Sequence, residues 1–257
     1  MKVQLKSGTV NYLDQGKGPA VLLIHAFPLN SDLWAPQIGV LSSRFRVIAP
    51  DIRGFGESQP PSAWTMDEMA DDLNDLLDKA GIEECAVAGV SMGGYIALPF
   101  WSKHSKRVKQ LLLANTRVRA DNEAEKAARN EMIAAIQQKG AAILPDRMLP
   151  RLLQPNPSPD VVRTVRGMIE RVDSSAAAFA VMAMRDRPDF SSVLHRISCP
   201  VMVVTGENDV IIRVEDSSAM AGAIPGARFE QIPHSGHLSN LENPEEFNRA
   251  LLDFLLP

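Results

Sequence analysis

Ser91 stands at the centre of Gly89-Val90-Ser91-Met92-Gly93, with Gly94 directly behind it. The apolar run Cys85-Ala86-Val87-Ala88 leads into this pentapeptide, and a helix-compatible stretch beginning at Tyr95 leads out of it. G-x-S-x-G between a strand and a helix is the pattern of a nucleophile elbow. The serine occupies a turn so tight that the positions two before and two after it crowd together, which favours glycine at both. A serine hydroxyl is a weak nucleophile until a base takes its proton, and that base needs a third group to orient it. Two downstream loops carry candidates: Gly206-Glu207-Asn208-Asp209 and Pro233-His234-Ser235-Gly236-His237-Leu238. Glu207 and Asp209 compete for the acid, and His234 and His237 for the base.

These groups can meet only if strands deliver them to one edge, as the carboxyl ends of an open parallel sheet do. The runs Ala20–Ile24, Arg46–Pro50, Val108–Ala114 and Val201–Gly206 are apolar enough to be strands buried on both faces. A hairpin is expected over Val3–Leu13 around Ser7-Gly8, and a further strand over Arg228–Ile232. Thr65 and Glu68 make a capping box for a helix that Gly81 stops. The helix after the elbow, Met92–His104, contains Pro99, which should kink it or end its regular first part. Helices are also expected over Glu215–Ala223 and Pro244–Leu256. Between Arg117 and Asp189 parallel-strand runs cease, and helical periodicity takes over at Glu123–Gln138, Pro159–Val172 and Ala176–Met184. Pro155, Pro157 and Pro159 interrupt it. This stretch of about 70 residues is too long for an ordinary crossover and reads as a helical insertion. Strand–helix alternation elsewhere predicts an α/β protein with a doubly wound, mostly parallel sheet.

A chain of 257 residues with 45% hydrophobic and 23% charged residues is ordinary for a globular protein, and its length suits one large domain. The net charge of −4 offers no basic footprint for nucleic acid or an anionic membrane. Cys85 and Cys199 each precede an apolar run, which suits buried thiols in a reducing compartment and not a disulfide framework. Met1–Lys6 lacks the apolar core of a signal peptide, and no run approaches the length of a membrane span. The cytoplasm is the expected compartment. No zinc-ligand spacing and no dinucleotide fingerprint is present, so neither a metal nor an organic cofactor is expected.

Five segments in order resemble the α/β-hydrolase superfamily across nearly the whole chain: His25-Ala26-Phe27-Pro28, Asp51-Ile52-Arg53-Gly54-Phe55-Gly56-Glu57-Ser58, the elbow, Gly206-Glu207-Asn208-Asp209 and Ser235-Gly236-His237. The resemblance implies an α/β-hydrolase fold of about eight strands with a helical cap. It divides the chain into a core of residues 1–116 and 190–257 and a cap of residues 117–189. It assigns Ser91 as nucleophile, Asp209 as acid and His237 as base, with oxyanion-hole amides from Phe27 and Met92. His25, Asp51 and Arg53 then brace loops, Trp34 and Trp101 pack, and His104 and His195 lie on the surface. Ala26 departs from the usual His-Gly, and its methyl group restricts the loop that carries the Phe27 amide.

Serine at position 91 argues against dehalogenases and epoxide hydrolases, which use aspartate there, and Val90 argues against carbon–carbon bond hydrolases. The expectation is a carboxylic-ester or lactone hydrolase acting on a small molecule through an acyl-enzyme. The chain looks most like 3-oxoadipate enol-lactonases and small bacterial esterases related to perhydrolases, whose proline after the oxyanion residue Pro28 matches. A hydrolase-fold ligand receptor with little turnover is the alternative outside enzymes. Leu238, Met182 and Met184 are candidate pocket residues; Met132, Met148 and Met168 either join them or fill the helical core. An anionic substrate would need a cation, and Arg117, Arg147, Arg151 and Arg185 are available.

Overall fold

The apolar runs that read as buried strands form the middle of one sheet. The computed structural model describes residues 1–59 and 63–256. Among them the strands are β1 (Lys2–Leu5), β2 (Gly8–Gln15), β3 (Ala20–Ile24), β4 (Arg46–Pro50), β5 (Cys85–Val90), β6 (Val108–Ala114), β7 (Val201–Gly206) and β8 (Arg228–Ile232). The helices of the first half are α1 (Ala35–Leu41), α2 (Met66–Lys79) and α3 (Met92–His104). Between β6 and β7 come α4 (Glu123–Lys139), α5 (Leu144–Leu152), α6 (Pro159–Ile169) and α7 (Ser174–Arg185). The chain closes with α8 (Val214–Gly222), α9 (Ser239–Glu242) and α10 (Pro244–Leu255).

The sheet order is β1-β2-β4-β3-β5-β6-β7-β8. The β1–β2 and β2–β4 pairings are antiparallel and every other pairing is parallel. Every residue of β5 and β7 is buried, as continuous apolar strands covered on both faces must be. The two cysteines are free, and burial pushes the Cys85 thiol up to about 12, which leaves it an inert packing group. No helix among the described residues is long and apolar enough to cross a membrane.

The capping box at Thr65–Glu68 forms as the sequence reading expects, and α10 has Pro244 in its first turn. Three short helices, α1, α5 and α9, escape that reading. In α5, Pro145 sits in the first turn, where a missing N–H removes no intrahelical bond, and Pro150 lies inside the helix. A proline-dense stretch therefore holds a helix that its composition argues against. Pro99 does not end α3. Residues Met92–Trp101 are all buried, so packing supports the backbone on every side where one hydrogen bond is lost.

The turn from β5 into α3 depends on close backbone contact. A Cβ at position 93 would lie 2.1 Å from the Ile24 carbonyl oxygen, and one at position 89 would lie 2.4 Å from the Gly93 carbonyl carbon. Both partners are backbone and cannot swing away. Gly93→Ala is therefore expected to destabilise the protein by about 3 kcal/mol or more. Gly39→Ala, in α1 with open space around its Cβ, should stabilise it by roughly 0.5–1 kcal/mol. Urea midpoints of the two variants check the pair; equal midpoints would contradict it.

Candidate active site

Ser91 follows the last residue of β5 with φ 54° and ψ −113°, outside the region that side-chain-bearing residues favour. Its N–H donates to the Ala114 carbonyl at 2.9 Å, and its own carbonyl accepts from Thr116 Oγ1 at 2.8 Å. The end of β6 and the loop directly after it thus fix the turn through both backbone groups of Ser91. Ser91 Oγ lies 2.8 Å from His237 Nε2, and His237 Nδ1 lies 2.8 Å from Asp209 Oδ2. His237 and the Asp209 side chain are buried, while Ser91 keeps partial exposure.

Asp209 is over-determined. Its Oδ1 accepts from the Ile211 and Ile212 amides at 2.8 and 3.0 Å, and its Oδ2 accepts from Asn115 Nδ2 at 2.9 Å. Burial alone would raise its pKa. The charge and hydrogen bond of His237, with the Asn115 and Ile212 donors, hold it below the ordinary carboxylate value. The carboxylate is therefore ionised at neutral pH. Asn115 also donates to the Gly236 carbonyl at 3.2 Å and accepts from Ser239 Oγ at 2.6 Å, so one amide ties the ends of β6, β7 and β8 together. The two downstream loops press close: a Cβ on residue 206 would lie 2.0 Å from the Gly236 carbonyl oxygen.

The rival residues sit elsewhere. Glu207 and His234 are exposed, and the His234 amide donates to Glu207 Oε2 at 3.0 Å, outside the Ser91 chain. His25 is fully buried; its Nε2 accepts from the Ile52 amide at 2.9 Å, so Nδ1 carries the proton and donates to the Ala26 carbonyl at 2.9 Å. Burial lowers its pKa against the opposing pull of that carbonyl and Asp51, and both ring nitrogens are used by the neutral form. Asp51 accepts from Ser31 N, Asn11 Nδ2 and Glu57 N, each at 2.9 Å. Arg53 pairs with Asp72. Trp34 and Trp101 are buried. His195 is exposed, but His104 is half-buried against Phe100 and 3.6 Å from Asp71, a correction to its reading as a surface residue.

Phe27 borders the Ser91 cavity, and its peptide to Pro28 is cis. Met92 is the first residue of α3, where the amide has no intrahelical acceptor. The cavity measures about 250 Å³ and reaches Ser91 and His237 on one side and α4, α5 and α7 on the other. Met132, Met148 and Met184 border it, and Met168 is buried in the helical core. Two expected pocket residues do not: Met182 borders a separate depression with Trp64 and Arg185, and Leu238 is fully buried away from the cavity lining. Met182 and Met184 are two residues apart on α7, about 200° around a helix of 3.6 residues per turn, so they project to opposite faces. Among the arginines, Arg117, Arg129 and Arg151 border the cavity, whereas Arg147 is exposed and Arg185 pairs with Asp186. Among the described residues no three His, Cys, Asp or Glu side chains converge as metal ligands would.

A family described as alpha/beta hydrolase fold matches residues 19–244. The chain belongs to the alpha/beta hydrolase family. The thermophilic esterase of Thermogutta terrifontis, solved with malate bound, superposes with a TM-score of 0.96 and 36% identity, over 99% of this chain and 98% of that one. The enol-lactonase of Burkholderia xenovorans LB400 gives 0.91 and 25% identity over 100% of both chains. In sequence, 3-oxoadipate enol-lactonase 1 of Acinetobacter baylyi is 28% identical over 92% of this chain and 88% of its own. These relatives support a hydrolase activity.

Three residues of this site went unread in the sequence. Asn115 had a signal, a polar residue directly after a buried strand that ends on the working edge. Arg129 had none, because periodicity does not say which face of α4 meets the cavity. Glu242 had none either. Its Oε1 accepts from the Gln154 amide and its Oε2 from the Gly236 amide, both at 2.7 Å, which sews the end of α5 to the loop carrying His237. Burial raises its pKa against those two donors.

The bracing loop is open to a pH test. Burial would raise Asp51, but the amides of Glu57 and Ser31 and the Asn11 side chain outweigh it and hold its pKa below the ordinary value. A depressed folded pKa gives stability that is present above the unfolded value and lost as pH falls through the folded one. Asp51→Asn should therefore cost about 1.5–3 kcal/mol at pH 7. The gap between variant and wild type should narrow below about pH 4. Urea unfolding at pH 7 and pH 3 measures this; a constant gap would refute it.

Proposed function

We propose that this chain is a serine hydrolase that cleaves a carboxylic ester or lactone through an acyl-enzyme. The observation that carries the reading is the unbroken hydrogen-bond chain Ser91 Oγ–His237 Nε2 and His237 Nδ1–Asp209 Oδ2, 2.8 Å at each link, at the base of a cavity. Nδ1–H donates to the ionised Asp209, which leaves Nε2 free to accept the Ser91 proton. Ser91 Oγ attacks the acyl carbon as that proton moves to His237, and the imidazolium is stabilised by Asp209. The amides of Phe27 and Met92 stabilise the oxyanion, each worth about 2.7–4 kcal/mol in such sites. His237 returns the proton to the leaving alkoxide. Water, activated by the same base, then releases the acid and restores Ser91. For a lactone, the leaving alkoxide stays tethered to the acyl group.

A narrower second reading is lactone hydrolysis, which the recurrence of enol-lactonases among the relatives in both sequence and structure supports. Residues 117–189 act in this account as a cap that sets pocket size, and the chemistry stays with the core. Turnover of 4-nitrophenyl acetate tests the proposal. Ser91→Ala should abolish it, and Asp209→Asn should lower kcat by about 10⁴, through loss of the imidazolium's partner and of the correct tautomer. Glu207→Gln should leave it close to wild type. Reversed effects of the two carboxylate variants would overturn the assignment of the acid, and wild-type turnover by Ser91→Ala would overturn the nucleophile.

A further inference from the structure

Tyr95 takes no part in the Ser91–His237–Asp209 chain, yet it borders the same cavity. Its amide donates to the Ser91 carbonyl at 3.3 Å, so it stands one turn of α3 beyond Ser91. Residues with this spacing share a helix face, their Cβ atoms about 5–6 Å apart. A substrate atom held by the Tyr95 hydroxyl would thus lie a few bonds from the acyl carbon that Ser91 attacks.

Two guanidinium groups fix this phenol. Arg187 stacks 4.2 Å from the ring centre, and it is itself held by Asp121 at 2.7 Å and by the Met184 and Arg119 carbonyls. Arg117 Nε donates to the hydroxyl oxygen at 3.5 Å, while Arg117 Nη1 donates to Glu125 at 2.6 Å. The hydroxyl oxygen therefore accepts, and its O–H donates to no atom among the described residues. Tyr95 is only 5% exposed, and a buried phenol ordinarily has a hydrogen-bond partner. A donor on its oxygen also polarises the O–H, which strengthens it toward an acceptor inside the cavity.

We infer that Tyr95 is a donor subsite for a neutral carbonyl oxygen, so that the preferred ester or lactone bears a second carbonyl a few bonds from the scissile one. This deepens the hydrolase reading and rests on Ser91 attacking the scissile carbonyl. The charges around the phenol select the acceptor. Arg117 and Arg187, the two cations on Tyr95, are each paired with a carboxylate, and those carboxylates, Glu125 and Asp121, border the cavity themselves. A neutral oxygen takes the O–H bond without the repulsion that they would impose on an anion at that point. A cavity of about 250 Å³ holds both carbonyls only in a small molecule. Proton transfer stays with His237, and Tyr95 sets specificity.

Two pairs of esters test the subsite and locate the second carbonyl. On the acyl side, 4-nitrophenyl 4-oxopentanoate is compared with 4-nitrophenyl pentanoate. On the alcohol side, 2-oxopropyl acetate is compared with 2-methylallyl acetate, in which a methylene replaces the keto oxygen. Tyr95→Phe keeps the ring under Arg187 and removes only the hydroxyl. In one pair it should lower kcat/KM for the keto ester relative to its partner by about tenfold, and that pair names the side. The ratio cancels intrinsic reactivity and any general loss of packing. Infrared spectra of methyl 4-oxopentanoate and 2-oxopropyl acetate, carbon-13 labelled at the ketone and bound to Ser91→Ala, read the contact without turnover. For one of them the ketone stretch should lie at or below its value in water, and Ser91→Ala/Tyr95→Phe should raise it. That infrared result with a wild type that turns over no ester would uphold the subsite and sink the nucleophile reading. Tyr95→Phe changing both members of both pairs by one factor, or both ketones absorbing as they do in hexane, would overturn the subsite.

Discussion

A serine held at φ 54° and ψ −113° costs about 1–3 kcal/mol that a relaxed turn would not, and the site exists because the fold keeps it there. Three features hold it. Gly89 and Gly93 let the strand end, the helix start and the Ile24 carbonyl approach within distances that any side chain would forbid. The Ala114 carbonyl accepts from the Ser91 N–H, and the Thr116 hydroxyl donates to the Ser91 carbonyl. The central strands supply the rigidity, since β5 is buried along its whole length. Relaxing the turn would move Ser91 Oγ away from His237 and leave the downstream loops with nothing to act on.

The partners of Ser91 arrive from three strand ends that one side chain links. Asn115, after β6, reaches Asp209 after β7 and Gly236 after β8. In the proposed mechanism, fixing these distances in advance lets a weak nucleophile and a weak base work together, because no reorganisation is left to the moment of reaction. The same economy of placement extends to the inserted helices. Glu242 joins the end of α5 to the Gly236 amide, and the Leu238 amide donates to the Leu152 carbonyl at 3.2 Å. Leu152 itself borders the cavity. The wall of the cavity and the loop carrying His237 are thus one mechanical unit.

What the sequence made legible follows from how local each signal is. The elbow, the buried strands and the Thr65–Glu68 cap are written in neighbouring residues, and they stand where the patterns put them. The choice of Asp209 over Glu207 and of His237 over His234 needed the family resemblance, since spacing alone left both pairs open. The short helix α5 was hidden because its two prolines look like breakers, although one sits in a first turn and tertiary packing carries the rest. Met182 and Leu238 were misplaced in the pocket because the direction of a side chain depends on how its helix or loop docks, which periodicity does not encode. Arg129 was invisible for the same reason. Long-range docking decides these residues, and no short stretch of chain contains it.

Covalent labelling by a fluorophosphonate tests the central claim most directly, because it reads the activated state of one hydroxyl without a choice of substrate. Mass spectrometry of the intact protein should show a single adduct, and peptide mapping should put it on Ser91. Ser91→Ala should carry none while keeping the wild-type unfolding midpoint, and His237→Gln should label far more slowly. Adduct on a different serine, or a folded wild type that stays unlabelled, would contradict the account.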